Sequence, residues 1–200
     1  GPWDRLNGNQ PFLAGYVEKP AGAQFYPEDM TREEFEAWNN PDKRNPYSLV
    51  RRMDSGDLLL VPYSAAFRQP LMEASELLRE AADLAESEAF AEYLRLRAEA
   101  LMTGDYRPSD MAWMDVRDND IELVFGPIES YEDQLFGIRT AFEAFVLLKD
   151  REWSERLARF AALLPALQRG LPVADEYKAE KPGTDADLNA YDAIYYAGDA

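Results

Sequence analysis

The residues with the clearest chemical potential lie in the segment 126–137. Glu129 and Tyr131 are two positions apart, so on an extended chain their side chains point to the same face. A carboxylate binds an ammonium group, and a phenol donates a hydrogen bond to a carbonyl or to a developing oxyanion. Glu132 and Asp133 add two carboxylates between two apolar stretches, a place where scaffolds present functional groups. Composition alone favours a structural hairpin here, so the chemistry is a hypothesis at this point.

A second group of carboxylates is spread over residues 110–122. Alternating carboxylates hold hard cations such as Ca²⁺, but an EF-hand loop requires a central glycine and a fixed ligand spacing. This segment lacks both, so we interpret its carboxylates as solvated turn and cap residues of an acidic chain. The group consists of Asp110, Asp115, Asp118, Asp120 and Glu122.

The composition excludes several classes of function. With 38 acidic and 21 basic side chains the formal charge is −17, which repels phosphate backbones and argues against a nucleic-acid partner. The chain has no histidine and no cysteine, so it cannot form a disulfide, a zinc–thiolate cluster, a catalytic thiol or a Ser-His-Asp triad. The longest apolar runs fall far short of the roughly 18 residues that span a membrane, and no signal peptide is evident.

Caps, breakers and hydrophobic periodicity indicate the elements that must position these residues. Residues 1–47 are rich in Pro, Gly and Asn, and we expect an extended N-terminal segment that lies over a neighbouring surface. Within it, Thr31 and Glu34 form a capping box at the start of one short helix. Two apolar stretches at 48–53 and 58–63 flank a turn and predict a β-hairpin.

Three longer helices are predicted from the apolar spacing. One covers 71–85, and the next begins after Ser87 and ends at Gly104, which together predict a helical hairpin. A third helix is predicted over 151–169, kinked or shortened by Pro165. We expect its apolar residues to point inward: Trp153, Leu157, Phe160, Leu164 and Leu167.

Strands are predicted at 121–125, 138–148 and 190–196, with a loop or linker over 171–187. The fold class is therefore expected to be α+β. In this prediction a helical hairpin and a third long helix pack on a small, mainly antiparallel sheet. The extended segment 1–47 precedes this α+β part, which spans 48–200.

The motif around Tyr131 resembles that of a known family. Residues 126–133 read Gly-Pro-Ile-Glu-Ser-Tyr-Glu-Asp, followed by Phe-Gly-Ile-Arg at 136–139 and Phe-Glu-Ala-Phe at 142–145. This pattern resembles dipeptidyl peptidase III and its bacterial relatives, in which such segments lie on the substrate cleft. Shorter matches run from end to end of the chain: Gly-Pro-Trp-Asp-Arg-Leu at 1–6, Pro-Ala-Gly-Ala at 20–23, Phe-Tyr-Pro at 25–27, Tyr-Asp at 191–192 and Ala-Gly-Asp at 197–199.

The resemblance implies a role for each matching residue. Glu129 would hold the free amino terminus of a bound peptide, and Tyr131 would hydrogen-bond the scissile carbonyl and support the oxyanion in the transition state. Ser130 and Ile128 would line the same subsite. Glu143 matches a family glutamate near it. The resemblance therefore implies one catalytic residue, Tyr131, and four substrate-binding residues.

This chain departs from the family pattern in two respects. Gln134 and Leu135 stand where the classical members have a single Pro, so the loop before Phe136 is one residue longer. The family's zinc ligands, two His of a His-Glu helix and a later Glu, do not occur in this chain. The resemblance therefore implies a zinc-dependent parent enzyme whose metal ligands lie outside this chain, and no metal ligand within it.

We expect this chain to be the N-terminal and central part of a longer peptidase. It opens without an initiator Met and stops just after Ile194 and the aromatic residues Tyr195 and Tyr196. The resemblance implies that the parent releases dipeptides from peptide amino termini and that this part alone is inactive. Its partners would be a peptide with a free amino terminus and the remainder of the parent polypeptide.

Two alternatives belong to other classes of function. The chain could be a non-catalytic acidic binding or scaffold domain that keeps the peptidase framework, or a plain helical interaction protein. The length of the central motif favours the peptidase over both. The sequence is compatible with a cytoplasmic or a periplasmic parent.

Overall fold

A computed structural model of the chain describes residues 2–117, 119–178 and 188–198. It combines helices with small sheets, which confirms the α+β prediction. The chain forms two compact units. Unit 1 comprises Gly1–Asn119, Phe125–Ala144 and Ala197–Ala200, and unit 2 comprises Asp120–Val124 and Phe145–Tyr196. Within the described ranges no helix is long and apolar enough to cross a membrane.

The N-terminal segment contains short elements. Strands β1 (Trp3–Asp4) and β2 (Gln10–Pro11) pair antiparallel, and helix α1 spans Arg32–Ala37. Thr31 caps α1, because its Oγ1 accepts a hydrogen bond from the N–H of Glu34 at 3.1 Å. The Glu34 carboxylate does not complete the predicted capping box, since it binds the Arg52 guanidinium at 2.8 and 2.9 Å.

The predicted β-hairpin is confirmed as β3 (Ser48–Arg52) and β4 (Leu58–Pro62), paired antiparallel with Ser48 opposite Pro62. It shares a hydrophobic cluster with the N-terminal segment. Phe35 and Val50 are completely buried in this cluster. The segment 1–47 therefore supplies part of the core. The buried members are Tyr26, Met30, Phe35, Val50 and Leu58.

The predicted helical hairpin is confirmed as α3 (Arg68–Leu84) and α4 (Glu88–Thr103), flanked by the shorter helices α2 (Tyr63–Ala66) and α5 (Arg107–Met114). Ser87 caps α4 through a 3.3 Å bond from the N–H of Phe90. Gly104 ends it in the left-handed conformation, with φ at +80°. The two helices also share a buried bond of 2.8 Å, which the Ser75 hydroxyl donates to the Ala98 carbonyl.

A three-stranded sheet follows, in the order β5 (Ile121–Glu129), β6 (Ala141–Asp150) and β7 (Ala190–Ala197). Two predicted boundaries were wrong. The first strand continues past residue 125 to Glu129, and the second begins at Ala141, where the sequence predicted residue 138. The late start has a physical cause, because the N–H groups of Ile138 and Arg139 bind a side-chain carboxylate and are unavailable to a sheet.

The third predicted helix is two helices, α6 (Arg151–Ala161) and α7 (Leu164–Arg169). Pro165 causes the division, because it has no N–H and its ring would clash with the carbonyl of residue 161 in a continuous helix. It fits the first turn of a new helix. Part of the predicted linker 171–187 forms a short 3₁₀ helix at Asp175–Lys178, and residues 179–187 lie outside the described residues.

The apolar face predicted for this helix does not point inward. Trp153, Phe160 and Leu167 are 55%, 63% and 62% exposed. Leu164 is exposed as well, and Leu157 is half-buried. The apolar periodicity is real, but the described residues do not cover this face.

Arg139 joins the segment before β6 to the segment before β3. It is fully buried, and its guanidinium donates to the Lys43 carbonyl at 2.6 Å and to the Ser48 hydroxyl at 2.9 Å. It also donates to the Asn45 carbonyl. The planar guanidinium of an arginine directs its donors to all three acceptors at once, whereas the compact ammonium of a lysine lacks this geometry.

We therefore expect Arg139→Lys to lower the free energy of unfolding by about 2–4 kcal/mol, because buried acceptors lose their donors. Urea titration followed by circular dichroism measures this change. The matched control is Arg156→Lys on the exposed side of α6, where we expect a change within about 0.5 kcal/mol. Equal effects of the two substitutions would show that Arg139 does not hold these segments together.

Candidate functional site

The candidate site is built on a turn that closes around the carboxylate of Asp133. This side chain is only 2% exposed. Its Oδ1 accepts hydrogen bonds from the N–H groups of Leu135 at 3.2 Å and Phe136 at 3.0 Å. Its Oδ2 accepts from those of Ile138 at 2.9 Å and Arg139 at 3.0 Å. One carboxylate thus satisfies four backbone donors of the turn.

The N-terminal segment adds a fifth donor to the same carboxylate. The Tyr26 hydroxyl, buried in the hydrophobic cluster, donates to Oδ2 of Asp133 at 2.7 Å. Burial raises the pKa of Asp133, but the hydrogen bonds to its ionised form outweigh burial and hold the pKa below its ordinary value of 3.8. Burial, and then the bond to Asp133, raises the pKa of Tyr26, so this phenol remains a donor.

The structure places Ile128 and Glu129 at the end of β5 and Ser130 directly after it. Ile128 is exposed, whereas Glu129 and Ser130 are half-buried. Tyr131 lies beyond the strand, in a turn that the N–H of Asp133 closes by donating to the Ser130 carbonyl at 3.1 Å. The prediction that Glu129 and Tyr131 share a face of one extended chain was therefore wrong, because the strand ends between them.

Tyr131 and Glu143 meet in the structure. The Tyr131 hydroxyl donates to Oε1 of Glu143, which lies on β6, at 2.9 Å. The phenol is 38% exposed, whereas Glu143 is only 6% exposed. The longer loop between Tyr131 and Phe136 thus still brings these two predicted site residues together.

Gly198, just after β7, lies close against Glu143. Its φ is +137°, and a Cβ at this position would lie 2.8 Å from Cγ of Glu143 and 3.2 Å from its Cα. Only glycine permits so close an approach. The sequence comparison marked Ala-Gly-Asp at 197–199 as part of the family pattern, but it gave Gly198 no role.

Lys19 neutralises one of the carboxylates of the turn. Its ammonium forms an ion pair with Glu132, and the two side chains are only 5% and 15% exposed. Lys19 and Glu132 are 113 positions apart, so no local pattern in the sequence indicated this contact. Glu132 and Asp133 therefore stabilise the turn, Glu132 through Lys19 and Asp133 through the backbone N–H groups. Among the described residues, no side chain pairs with the carboxylate of Glu129.

The acidic group at 110–122 makes structural ion pairs. Asp110 accepts from Arg97 at 2.5 Å, and Asp120 accepts from Arg151 at 2.6 and 3.1 Å. Asp118 lies outside the described residues. In the part of the chain that the structure describes, no three acidic side chains are arranged to hold a metal ion. Without histidine or cysteine, the residues of this chain do not fit a zinc site.

Comparison with known proteins identifies similar sequences and structures. A family model, that of peptidase family M49, matches residues 42–200. The solved structure of DPP III from Caldithrix abyssi is similar with a TM-score of 0.89 and 42% identity, over 100% of this chain and 39% of that chain. That of dipeptidyl-peptidase III from Corallococcus sp. strain EGB has a TM-score of 0.79 and 37% identity, over 100% of this chain and 38% of that chain.

A curated relative carries a different name. Nudix hydrolase 3 of Arabidopsis thaliana is 32% identical over an alignment 252 residues long, which covers 99% of this chain and 32% of that protein. The chain thus spans about a third of the length of this relative and under two fifths of the two solved chains. The activity in the relative's name belongs to that protein.

We expect Asp133→Asn to destabilise the protein by about 2–4 kcal/mol near neutral pH, because the amide offers one acceptor oxygen and turns an NH₂ group toward backbone donors. The matched control is Asp83→Asn on α3, whose carboxylate is 78% exposed. We expect this control to change stability by less than about 0.5 kcal/mol. Urea titrations of both variants measure the changes.

The pH dependence tests the same contact. Because folding lowers the pKa of Asp133 below 3.8, its contribution to stability is complete above that value and is lost as pH falls through the folded-state pKa. The stability difference between wild type and Asp133→Asn should therefore be constant above about pH 5 and shrink as pH falls below about 4. A difference that does not shrink would contradict this assignment of the Asp133 charge.

Proposed function

The chain belongs to peptidase family M49, as its resemblance to dipeptidyl peptidase III predicts, and on this premise we propose that it is the substrate-binding part of a zinc-dependent exopeptidase that releases dipeptides from peptide amino termini. The supporting observation is the hydrogen bond between Tyr131 and Glu143, on the turn that follows Glu129. A phenol and carboxylates at one strand end suit a peptide amino terminus and a carbonyl.

In this proposal Glu129 receives the amino terminus. At neutral pH a peptide amino terminus is largely a cation, and among the described residues no side chain neutralises Glu129. Because Lys19 and the turn's N–H groups occupy Glu132 and Asp133, these neighbouring carboxylates do not compete for the cation. An exopeptidase that anchors the amino terminus at a fixed point measures the cleavage position from there.

Tyr131 acts on the carbonyl of the bond to be cleaved. Its phenol donates to the carbonyl oxygen and supports the negative charge that develops on it in the transition state. Asp133 fixes the backbone of the turn, so the phenol is presented from a rigid base. Ile128 and Ser130 flank Glu129 on the chain and line the same subsite in the proposal.

The zinc of the proposed enzyme is bound by residues outside this chain, because the chain's own residues do not fit a zinc site. This chain alone is therefore proposed to be inactive. Its partners are the peptide and the remainder of the parent polypeptide, and the neighbours' uncovered length supports such a remainder.

Tyr131→Phe in the full-length protein tests the proposal. We expect kcat for a dipeptidyl-naphthylamide to fall by about 10²- to 10³-fold, because a donor to the oxyanion is lost. We expect KM to change by less than about threefold, since the bond strengthens only in the transition state. Steady-state kinetics measure both parameters.

The control is Tyr177→Phe. The Tyr177 side chain is 72% exposed and lies outside the candidate site, so this substitution should leave kcat unchanged. An unchanged kcat in Tyr131→Phe would remove its role in the transition state. Absence of peptidase activity in the full-length protein would instead favour the non-catalytic scaffold.

A further inference from the structure

The hydrogen bond between Tyr131 and Glu143 has a consequence for catalysis. A phenol has one O–H donor, and here Tyr131 gives it to Oε1 of Glu143 at 2.9 Å. While this bond exists, the same proton cannot serve a substrate carbonyl. With this bond in place, Tyr131 is therefore held away from the chemistry proposed for it.

Glu143 is the fixed partner in this bond. It is only 6% exposed, and Gly198 lies against its side chain so closely that a Cβ on the glycine would approach Cγ to 2.8 Å. Real Cβ contacts essentially never fall below about 3.0 Å. The carboxylate stem thus has little room to follow a moving phenol.

Tyr131 is the partner with room to turn. Its side chain is 38% exposed, and it lies in a turn whose backbone is fixed by the Asp133 carboxylate. A change of partner by Tyr131 therefore requires rotation of its side chain and no change in the turn. Side-chain rotations of exposed residues occur within picoseconds to nanoseconds, far faster than turnover.

A peptide amino terminus is a suitable replacement donor for Glu143. An ammonium group offers three N–H donors and a full positive charge, whereas the phenol offers one neutral donor. The carboxylate attracts the full charge of an ammonium more strongly than the dipole of a neutral phenol, because opposite unit charges at contact distance attract each other directly. An ammonium that reaches Glu143 thus displaces the phenol from it.

We propose that the amino group of a peptide bound at Glu129 gives a second of its N–H donors to Glu143, displaces the Tyr131 phenol from that carboxylate and so releases the phenol to the carbonyl of the same peptide. This exchange rests on the proposed function, and it makes Glu143 a positioning residue that acts through Tyr131. A peptide whose amino group is blocked leaves the phenol on Glu143. Selectivity for a free amino terminus then appears in kcat as well as in binding.

The test places 3-fluorotyrosine at position 131 of the full-length protein and follows its fluorine resonance. Saturation with alanyl-alanine amide, which has a free amino group, should shift this resonance in the wild type. In Glu143→Gln the amide oxygen still accepts the phenol but has no charge to attract the ammonium, so the shift should be lost. Glu155→Gln, an exposed change on α6, should keep it.

A second variant needs no ligand. In Glu143→Ala nothing at position 143 holds the phenol, so its resonance without ligand should already move toward the position seen in the ligand-bound wild type. Binding of the dipeptide amide to the wild type without a shift would overturn the exchange alone. An equal shift in Glu143→Gln would do the same. Failure of the wild type to bind the dipeptide amide would overturn the proposed function and the exchange with it.

Discussion

The buried carboxylate of Asp133 is the contact on which the candidate site depends. Four backbone N–H groups between residues 135 and 139 and the Tyr26 hydroxyl all donate to it. Because these N–H groups serve the carboxylate, β6 starts only at Ala141 and leaves a turn after β5. That turn carries Tyr131. A buried charge of this kind is tolerable because every lone-pair direction finds a donor.

The turn also depends on residues from the far end of the chain. Tyr26 and Lys19 reach it from the N-terminal segment, and Arg139 ties it to the segment before β3. The site is therefore a product of tertiary packing. The net charge of −17 does not show which of its carboxylates have partners. What matters is which carboxylates have partners. Glu132 pairs with Lys19 and Asp133 is saturated with donors, whereas no cationic side chain among the described residues neutralises Glu129 or Glu143. In the proposed function, these two carboxylates receive the cationic ligand.

Local signals in the sequence predicted the local structure well. The Ser87 cap, the Gly104 stop and the hairpin that starts at Ser48 each depend on residues close in sequence, and each is confirmed. The predicted start of β6 was wrong because the Asp133 side chain competes for the backbone donors of Ile138 and Arg139. The predicted position of Tyr131 was wrong because β5 ends at Glu129 and a turn follows. Lys19 and Tyr26 were missed since their partners are over a hundred residues away. Residue type and spacing singled out Tyr131 as a hypothesis, and the resemblance supported that choice and added Glu143.

In the proposed function, this turn recognises a peptide by its free amino terminus. Isothermal titration of the full-length protein with a peptide and with its Nα-acetylated counterpart tests this claim most directly. A charge-assisted hydrogen bond is worth about 1.5–3 kcal/mol, so the free peptide should bind at least about tenfold more tightly. Equal affinities for the two peptides would contradict the account.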